Sequence, residues 1–159
     1  MILVGDSSAL IALAICDRLD LLSEFYSEIY VPEAVYGEVG KEEKVEGQKL
    51  RNYLQDKVRK VDMSDYVYLD ALADYGEAEA MVLYKHISAD KLLIDDKKAR
   101  RIASMNDIDV VGSLGVLLKA KKAGLIPDVA SSLDKLKRSR IFISNTLINT
   151  VLELAGECE

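Results

Sequence analysis

The sequence predicts an α/β fold, a three-layer α/β/α sandwich around a central, mainly parallel sheet of about five strands. Short apolar runs alternate with segments of helical periodicity along most of the chain. Each connection between successive runs is long enough to hold a helix, as parallel neighbours require. The 159 residues, half of them hydrophobic, fit one domain that can bury roughly 70% of the unfolded chain's surface.

The first strand is Ile2 to Gly5. After Asp6-Ser7-Ser8, the residues Leu10, Ile11, Leu13, Ala14 and Leu21 recur at helical spacing, with Ser7 or Ser8 as N-cap. Glu28 to Val31 is the second strand, and Pro32 takes the first helical position of a helix with Val35 and Val39 on one face. Lys41 to Gln55 is strongly charged with widely spaced Val45, Leu50 and Leu54, which predicts an exposed helical arm. Val58 to Val61 is a short strand. Gly76 to Ile87 reads as helix, Lys91 to Ile94 as strand, and Lys97 to Met105 as helix. Asp109 to Val111 is the fifth strand, closed by Gly112, and a helix from Ser113 to Ala123 stops at Gly124. Helices around Ser131 to Ser139 and Asn145 to Ala155 complete a single domain of residues 1–159, in which 127–159 form a helical C-terminal extension.

Composition narrows the chemistry. One histidine, His86, excludes multi-histidine zinc sites and two-histidine acid–base mechanisms; its place beside Tyr84 and Ile87 in a helix is a structural one. Cys16 and Cys158 are too far apart for a C-x-x-C motif, so no disulfide framework or thiolate metal site is indicated, and a reducing cytoplasm fits. The first sixteen residues lack a basic leader, and Asp6 precedes an apolar run of only eight residues, Ala9 to Cys16. Neither a signal peptide nor a membrane span is predicted, and the chain reads as soluble.

The net charge of −6 argues at first against nucleic acid, since Lys and Arg contacts to phosphate supply most of the affinity. The average conceals segregation: Lys97 to Arg140 hold 11 Lys/Arg against 4 Asp, net +7, and the rest of the chain is net −13. Lys97, Lys98, Arg100 and Arg101 stand where cations oppose a helix dipole, which points to phosphate contact, with Lys97 and Arg100 favoured. Lys119, Lys121, Lys122, Lys135, Lys137, Arg138 and Arg140 extend the basic third, and solvation of helix faces is their ordinary role. Most of the eight tyrosines suit packing better than base stacking.

The chemistry is therefore carboxylate chemistry. Functional groups of a parallel sheet collect at the carboxyl ends of its strands. Asp6 follows the first strand and Asp95-Asp96 the fourth, so they project at one edge. Glu77, in the first turn of the helix before the fourth strand, and Glu38, near the end of the helix after the second, can point over that edge. Glu79 is about 200° around the helix from Glu77 and cannot face the same point. Each acid has a plainer role: Asp6, Asp95 or Asp96 as helix caps, Glu77 as a first-turn glutamate, Glu38 as part of an acidic surface with Glu42, Glu43 and Glu46. Together they repel by roughly 4 kcal/mol per pair at ~4 Å and an effective dielectric near 20. A cation relieves that, and oxygen ligands without histidine or thiolate suit Mg²⁺ or Mn²⁺.

Asp6-Ser7-Ser8 after the first strand, Glu38, Gly76-Glu77-Ala78-Glu79-Ala80, Leu92-Leu93-Ile94-Asp95-Asp96-Lys97-Lys98-Ala99-Arg100 and the segment Val111-Gly112-Ser113-Leu114-Gly115-Val116-Leu117-Leu118 resemble the PIN-domain nucleases, in particular a toxin-type prokaryotic and archaeal branch. The resemblance runs in order over about residues 2–126. It implies a Mg²⁺- or Mn²⁺-dependent ribonuclease for single-stranded RNA, with Asp6, Glu38 and Glu77 as the first three acids and either Asp95 or Asp96 as the fourth. Ser8 matches a position that supports the first acid. Ser113 stands where a further acid sometimes follows the fifth strand, which bears on a second metal. The resemblance also implies a toxin–antitoxin pair, with a small antitoxin protein as partner, and self-association; Ile141, Phe142, Leu147 and Leu152 either serve a homodimer or pack a C-terminal helix onto the core.

Three other readings use these residues. A receiver-type phosphoacceptor places its acid pair after the first strand, not the fourth, and a haloacid-dehalogenase-like phosphatase needs D-x-D where Asp6-Ser7-Ser8 lacks the second acid. The remaining rival is a catalytically inactive PIN-like module that binds RNA or a protein partner.

Overall fold

The computed structural model describes residues 1–41, 45–64 and 74–157, with the Val45 side chain excepted. Glu42, Glu43, Tyr66, Tyr68 and Cys158 lie outside the described residues. The order is β1 (Ile2–Gly5), α1 (Ser7–Ile15), α2 (Asp20–Phe25), β2 (Glu28–Pro32), α3 (Glu33–Gly40), α4 (Val45–Leu54), β3 (Val58–Arg59), α5 (Tyr75–His86), β4 (Lys91–Leu93), α6 (Lys97–Met105), β5 (Val110–Val111), α7 (Ser113–Lys122), α8 (Ala130–Lys137) and α9 (Asn145–Leu154). The five strands form one sheet in the order β3-β2-β1-β4-β5, and every described pairing is parallel. The predicted α/β sandwich is the observed one.

Alternation along the strands builds the two faces, because successive side chains of a strand point to opposite sides. Leu3 and Leu93 enter one core with α1, α3, α4, α7, α8 and α9, whereas Val4, Leu92 and Ile94 enter a second core with α5 and α6. Burial on both faces explains why β1 and β4 read as unbroken apolar runs.

The central pair of strands positions the functional edge. β1 pairs with β2 on one side and β4 on the other, in register Leu3↔Lys91, Val4↔Leu92 and Gly5↔Leu93. The chain leaves β1 toward β2 and later returns to β1's other flank as β4, so the order reverses between β1 and β4. A crevice opens outside the carboxyl ends at such a switch point. The Asp6 N–H donates to the Leu93 carbonyl at 2.9 Å, joining the two strand ends at that place.

Several boundaries differ from those expected. The first predicted helix is two: it ends at Ile15, Asp17 takes φ 59°, and α2 starts at Asp20. Pro32 ends β2 and caps α3 instead of opening it. The charged arm is not an exposed one, since Leu50 and Leu54 are both 0% exposed in the core. Two leucines at i and i+4 share a helix face, and that narrow stripe is enough to dock α4. β3 stops at Arg59. Gly124, at φ +76°, ends the run after α7 as its sequence position predicted.

Candidate active site

Asp6 is the residue that caps α1, yet its side chain makes no capping bond. It is 2% exposed, and its Oδ1 has no hydrogen-bond partner. Burial is the main reason its pKa is pushed up from 3.8 to about 7; the Ser7 backbone opposes that shift, while the charges of Glu77, Asp74 and Glu38 add to it. A buried carboxylate oxygen without a donor costs of order 1–3 kcal/mol, more when ionised. It is held there by the β1–β4 junction on one side and the short step into α1 on the other.

Glu38 reaches the same place from the last turn of α3. Its Oε2 accepts a hydrogen bond of 2.7 Å from Ser7 Oγ. Its Oε1 lies so close to the Cα of Gly76 that a Cβ on that residue would overlap it. Glycine at position 76 is therefore what lets α3's carboxylate come against the start of α5. The serine that meets the acids is Ser7; Ser8, expected in a supporting role, is exposed.

Glu77 stands in the first turn of α5 in a capping box: Glu77 N–H donates to Asp74 Oδ1 at 2.8 Å, and Asp74 N–H donates to Glu77 Oε1 at 3.1 Å. Burial raises its pKa first, and the charges of Asp74 and Asp96 raise it further. Glu77 is thus both a cap and a member of the acid group. Asp74 belongs to the group as well and was missed, although the D-x-x-E spacing of Asp74 and Glu77 is a legible cap signature.

The acid pair after β4 divides. Both Asp95 oxygens are occupied, Oδ1 by the Ser113 N–H at 2.7 Å and Oδ2 by Ser113 Oγ at 2.7 Å. Asp95 therefore fastens the end of β4 to the start of α7, and Ser113, 3% exposed, is its partner. Asp96 caps α6 through Oδ2, which accepts the Ala99 N–H at 2.8 Å, and its charge acts on Glu77. Among the described residues no three His, Cys, Asp or Glu side chains stand close enough together to hold an ion as they are arranged. Each acid is turned toward a protein donor, Asp6 toward the Ser7 backbone, but Asp6 Oδ1 is left buried without one.

The structure separates the basic residues. Lys97, Lys98 and Arg101 are exposed on α6 just after Asp96. Arg100 is half-buried, donates to the Ile94 carbonyl at 3.3 Å and lies against Gly112, as does Asp95. Lys119 lies over the rings of Phe25 and Tyr26, Lys121 pairs with Glu157 at 3.0 Å, and Arg138 pairs with Asp134 at 2.8 Å. Those cations serve the far ends of α7 and α8. His86 ends α5, about 13 Å along the helix from Glu77. At the C-terminus Ile141 and Leu152 pack on the core, while Phe142 is 89% exposed and Leu147 partly so.

Glu79, turned away from Glu77 by its helical angle, points toward α3. It is 5% exposed, and its Oε2 accepts the Ala34 N–H at 3.0 Å. Burial raises its pKa and the Ala34 N–H opposes the shift.

A three-layer sandwich whose switch point carries carboxylates, with no described histidine or cysteine beside them, defines a class of α/β protein suited to hard divalent ions and phosphate esters. Asp6 Oδ1, buried and without a donor, fits such an ion, as does the cradle that Gly76 leaves for Glu38. The sequence matches the profile of the PIN-domain family over residues 2–157, and the chain belongs to that family. It is thereby a member of a nuclease superfamily whose domains are generally divalent-metal dependent. No curated protein matches it. Among the described residues no helix is long and apolar enough to cross a membrane.

Proposed function

We propose that this protein is an endoribonuclease that cuts single-stranded RNA with Mg²⁺ or Mn²⁺, and that it acts in the cytoplasm as the toxin of a toxin–antitoxin pair. The observation that carries the reading is Asp6 Oδ1, buried without a donor among Glu38, Glu77 and Asp74. In this reading Asp6, Glu38, Glu77 and Asp96 hold the ion, and Asp95 with Ser113 fixes the loop that presents Asp96. The chemistry a divalent ion supplies is neutralisation of charge at the scissile phosphate and activation of the attacking water. The protein's own part is to hold the ligands in a partly buried crevice, where their charges are weakly screened. Exposed Lys97, Lys98 and Arg101, beside the acids, receive flanking phosphates, and half-buried Arg100 sits next to them. In-line attack leaves a 5′-phosphate and a 3′-hydroxyl. A small antitoxin protein covers the crevice, and exposed Phe142 and Leu147 serve a homodimer.

The test incubates the purified protein with structured and unstructured RNA in Mg²⁺, Mn²⁺ or EDTA, beside Asp6→Asn. The expected result is cleavage of unstructured RNA that needs the ion and is lost in the variant. One observation favours a second reading, an inactive module that binds RNA or a protein: Glu38, Glu77 and Asp95 are all engaged by protein donors. RNA binding without cleavage, unaltered by Asp6→Asn, is the outcome that selects it.

A further inference from the structure

α3 begins without a cap of its own. Pro32 at its N-cap position offers no side-chain acceptor, so the first N–H groups of the helix need one from elsewhere. Glu79 supplies it from α5: its buried Oε2 receives the Ala34 N–H at 3.0 Å. One turn further along α3, Glu38 lies against Gly76, which is nearly one turn back along α5. The two helices therefore run antiparallel with two points of attachment, Ala34 to Glu79 and Glu38 to Gly76. The first fixes how far α3 slides along α5, and that slide sets where the Glu38 carboxylate arrives.

We propose that Glu79 is a positioning residue: by capping α3 from α5 it holds Glu38 against Gly76 and Ser7, in reach of Asp6. The inference rests on the reading of Glu38 as a metal ligand. Glu79 is not itself a ligand, because it is buried and one oxygen is committed to Ala34. What matters is its acceptor oxygen and its length, not its charge, so glutamine can replace it.

The experiment compares Glu79→Gln and Glu79→Leu, with Glu79→Ala as a second variant should the leucine not fold. In the metal-free protein, NMR follows the backbone amides of Ser7 and Gly76. They shift in Glu79→Leu and stay in place in Glu79→Gln. Calorimetric Mn²⁺ titration then shows about tenfold weaker binding for Glu79→Leu and a change within about twofold for Glu79→Gln. Adding Glu79→Leu to Glu38→Gln weakens binding no further, because both act on one contact. Unmoved Ser7 and Gly76 amides in a folded Glu79→Leu or Glu79→Ala overturn the proposal. So does a glutamine variant as damaged as the leucine one with losses that add to those of Glu38→Gln. A wild type that binds no Mn²⁺ removes the ligand reading of Glu38, while the metal-free amides still decide whether Glu79 places that side chain.

Discussion

Replacing Asp6 with asparagine should make the metal-free protein more stable at alkaline pH relative to wild type. The Asp6 carboxyl titrates at about 7 in the folded protein and at 3.8 when unperturbed. Below pH 3.8 both states are protonated and the group contributes no difference. As pH rises from there to 7, the unfolded chain gives up its proton and the folded one keeps it, so the folded state loses stability across that window. Above 7 the loss is complete and constant. Three units at 1.36 kcal/mol each set a ceiling of about 4 kcal/mol. Between pH 5 and pH 8 about two units are crossed, or roughly 2.7 kcal/mol, and relaxation around the charge lowers this to ~1.5–2.5 kcal/mol. Asparagine is neutral throughout, and the fixed cost of burying its amide cancels when two pH values are compared. The raised carboxyl of Glu79 is common to both proteins and cancels as well, while Glu77, whose charge acts on Asp6, is relieved in the variant and so adds to the difference in the same direction. Urea unfolding followed by circular dichroism, in EDTA at pH 5 and pH 8, reads the difference directly. Wild type should lose ~1.5–2.5 kcal/mol more than Asp6→Asn between the two. Parallel pH dependence in the two proteins would show that Asp6 is hydrated or hydrogen-bonded in solution, and the reasoning from its orphaned oxygen would fail.

Gly76→Ala separates function from stability. Alanine gains up to about 1 kcal/mol in a helix, and only the mobile end of Glu38 must move aside, so the melting temperature should hold or rise while Mn²⁺ affinity falls about tenfold by titration. Ser113→Ala takes a 2.7 Å hydrogen bond from Asp95 and should cost about 1–3 kcal/mol in urea unfolding. Asp96→Asn keeps an oxygen for the Ala99 N–H and should stay within about 0.5 kcal/mol of wild type, yet bind Mn²⁺ about tenfold more weakly; the reverse pattern would assign the ligand role to Asp95. Phe142→Ser removes an 89% exposed side chain and should change stability by less than about 0.5 kcal/mol, while light scattering shows a fall to monomer mass if the C-terminal face joins two copies.

Much of the fold was legible because burial on both faces writes β1 and β4 as apolar runs and the helices as periodic ones. That Asp6 and the Asp95-Asp96 pair leave neighbouring strand ends, β1 and β4, followed from the parallel-sheet rule alone. The remainder depended on distances that spacing does not encode. Nothing near Leu50 and Leu54 announces that α4 docks on the core, since the signal is two residues in a charged stretch. Ser113, eighteen residues beyond Asp95, occupies both of its oxygens through N–H and hydroxyl, a long-range partner that spacing does not announce. Glu79 could be excluded from the Glu77 side by helical angle, but its partner Ala34 lies 45 residues away, beyond any local pattern. Asp74 is the one member that a local rule, the capping box, would have found.

The pattern of satisfied and unsatisfied oxygens shows how such a site survives without a cation. Negative groups crowded at one sheet edge would drive each other apart, yet Glu38, Glu77, Asp95 and Asp96 each have a donor from the protein. Among the described residues Asp6 Oδ1 is the buried side-chain oxygen with no donor, so the costliest unmet demand of this edge rests on one atom. An ion arriving there need not dismantle the helix starts around it. Asp74 keeps the Glu77 N–H whatever Glu77's own carboxylate does, and Asp96 holds α6 with one oxygen while the other is free of any helix bond. The return half of the capping box, Asp74 N–H to Glu77 Oε1, and the Ser7 hydroxyl on Glu38 Oε2 compete with a ligand, at about 1 kcal/mol each. In the proposed reading, metal binding would be coupled to the first turn of α5 and to Gly76 within it, the same turn that Glu38 meets from α3.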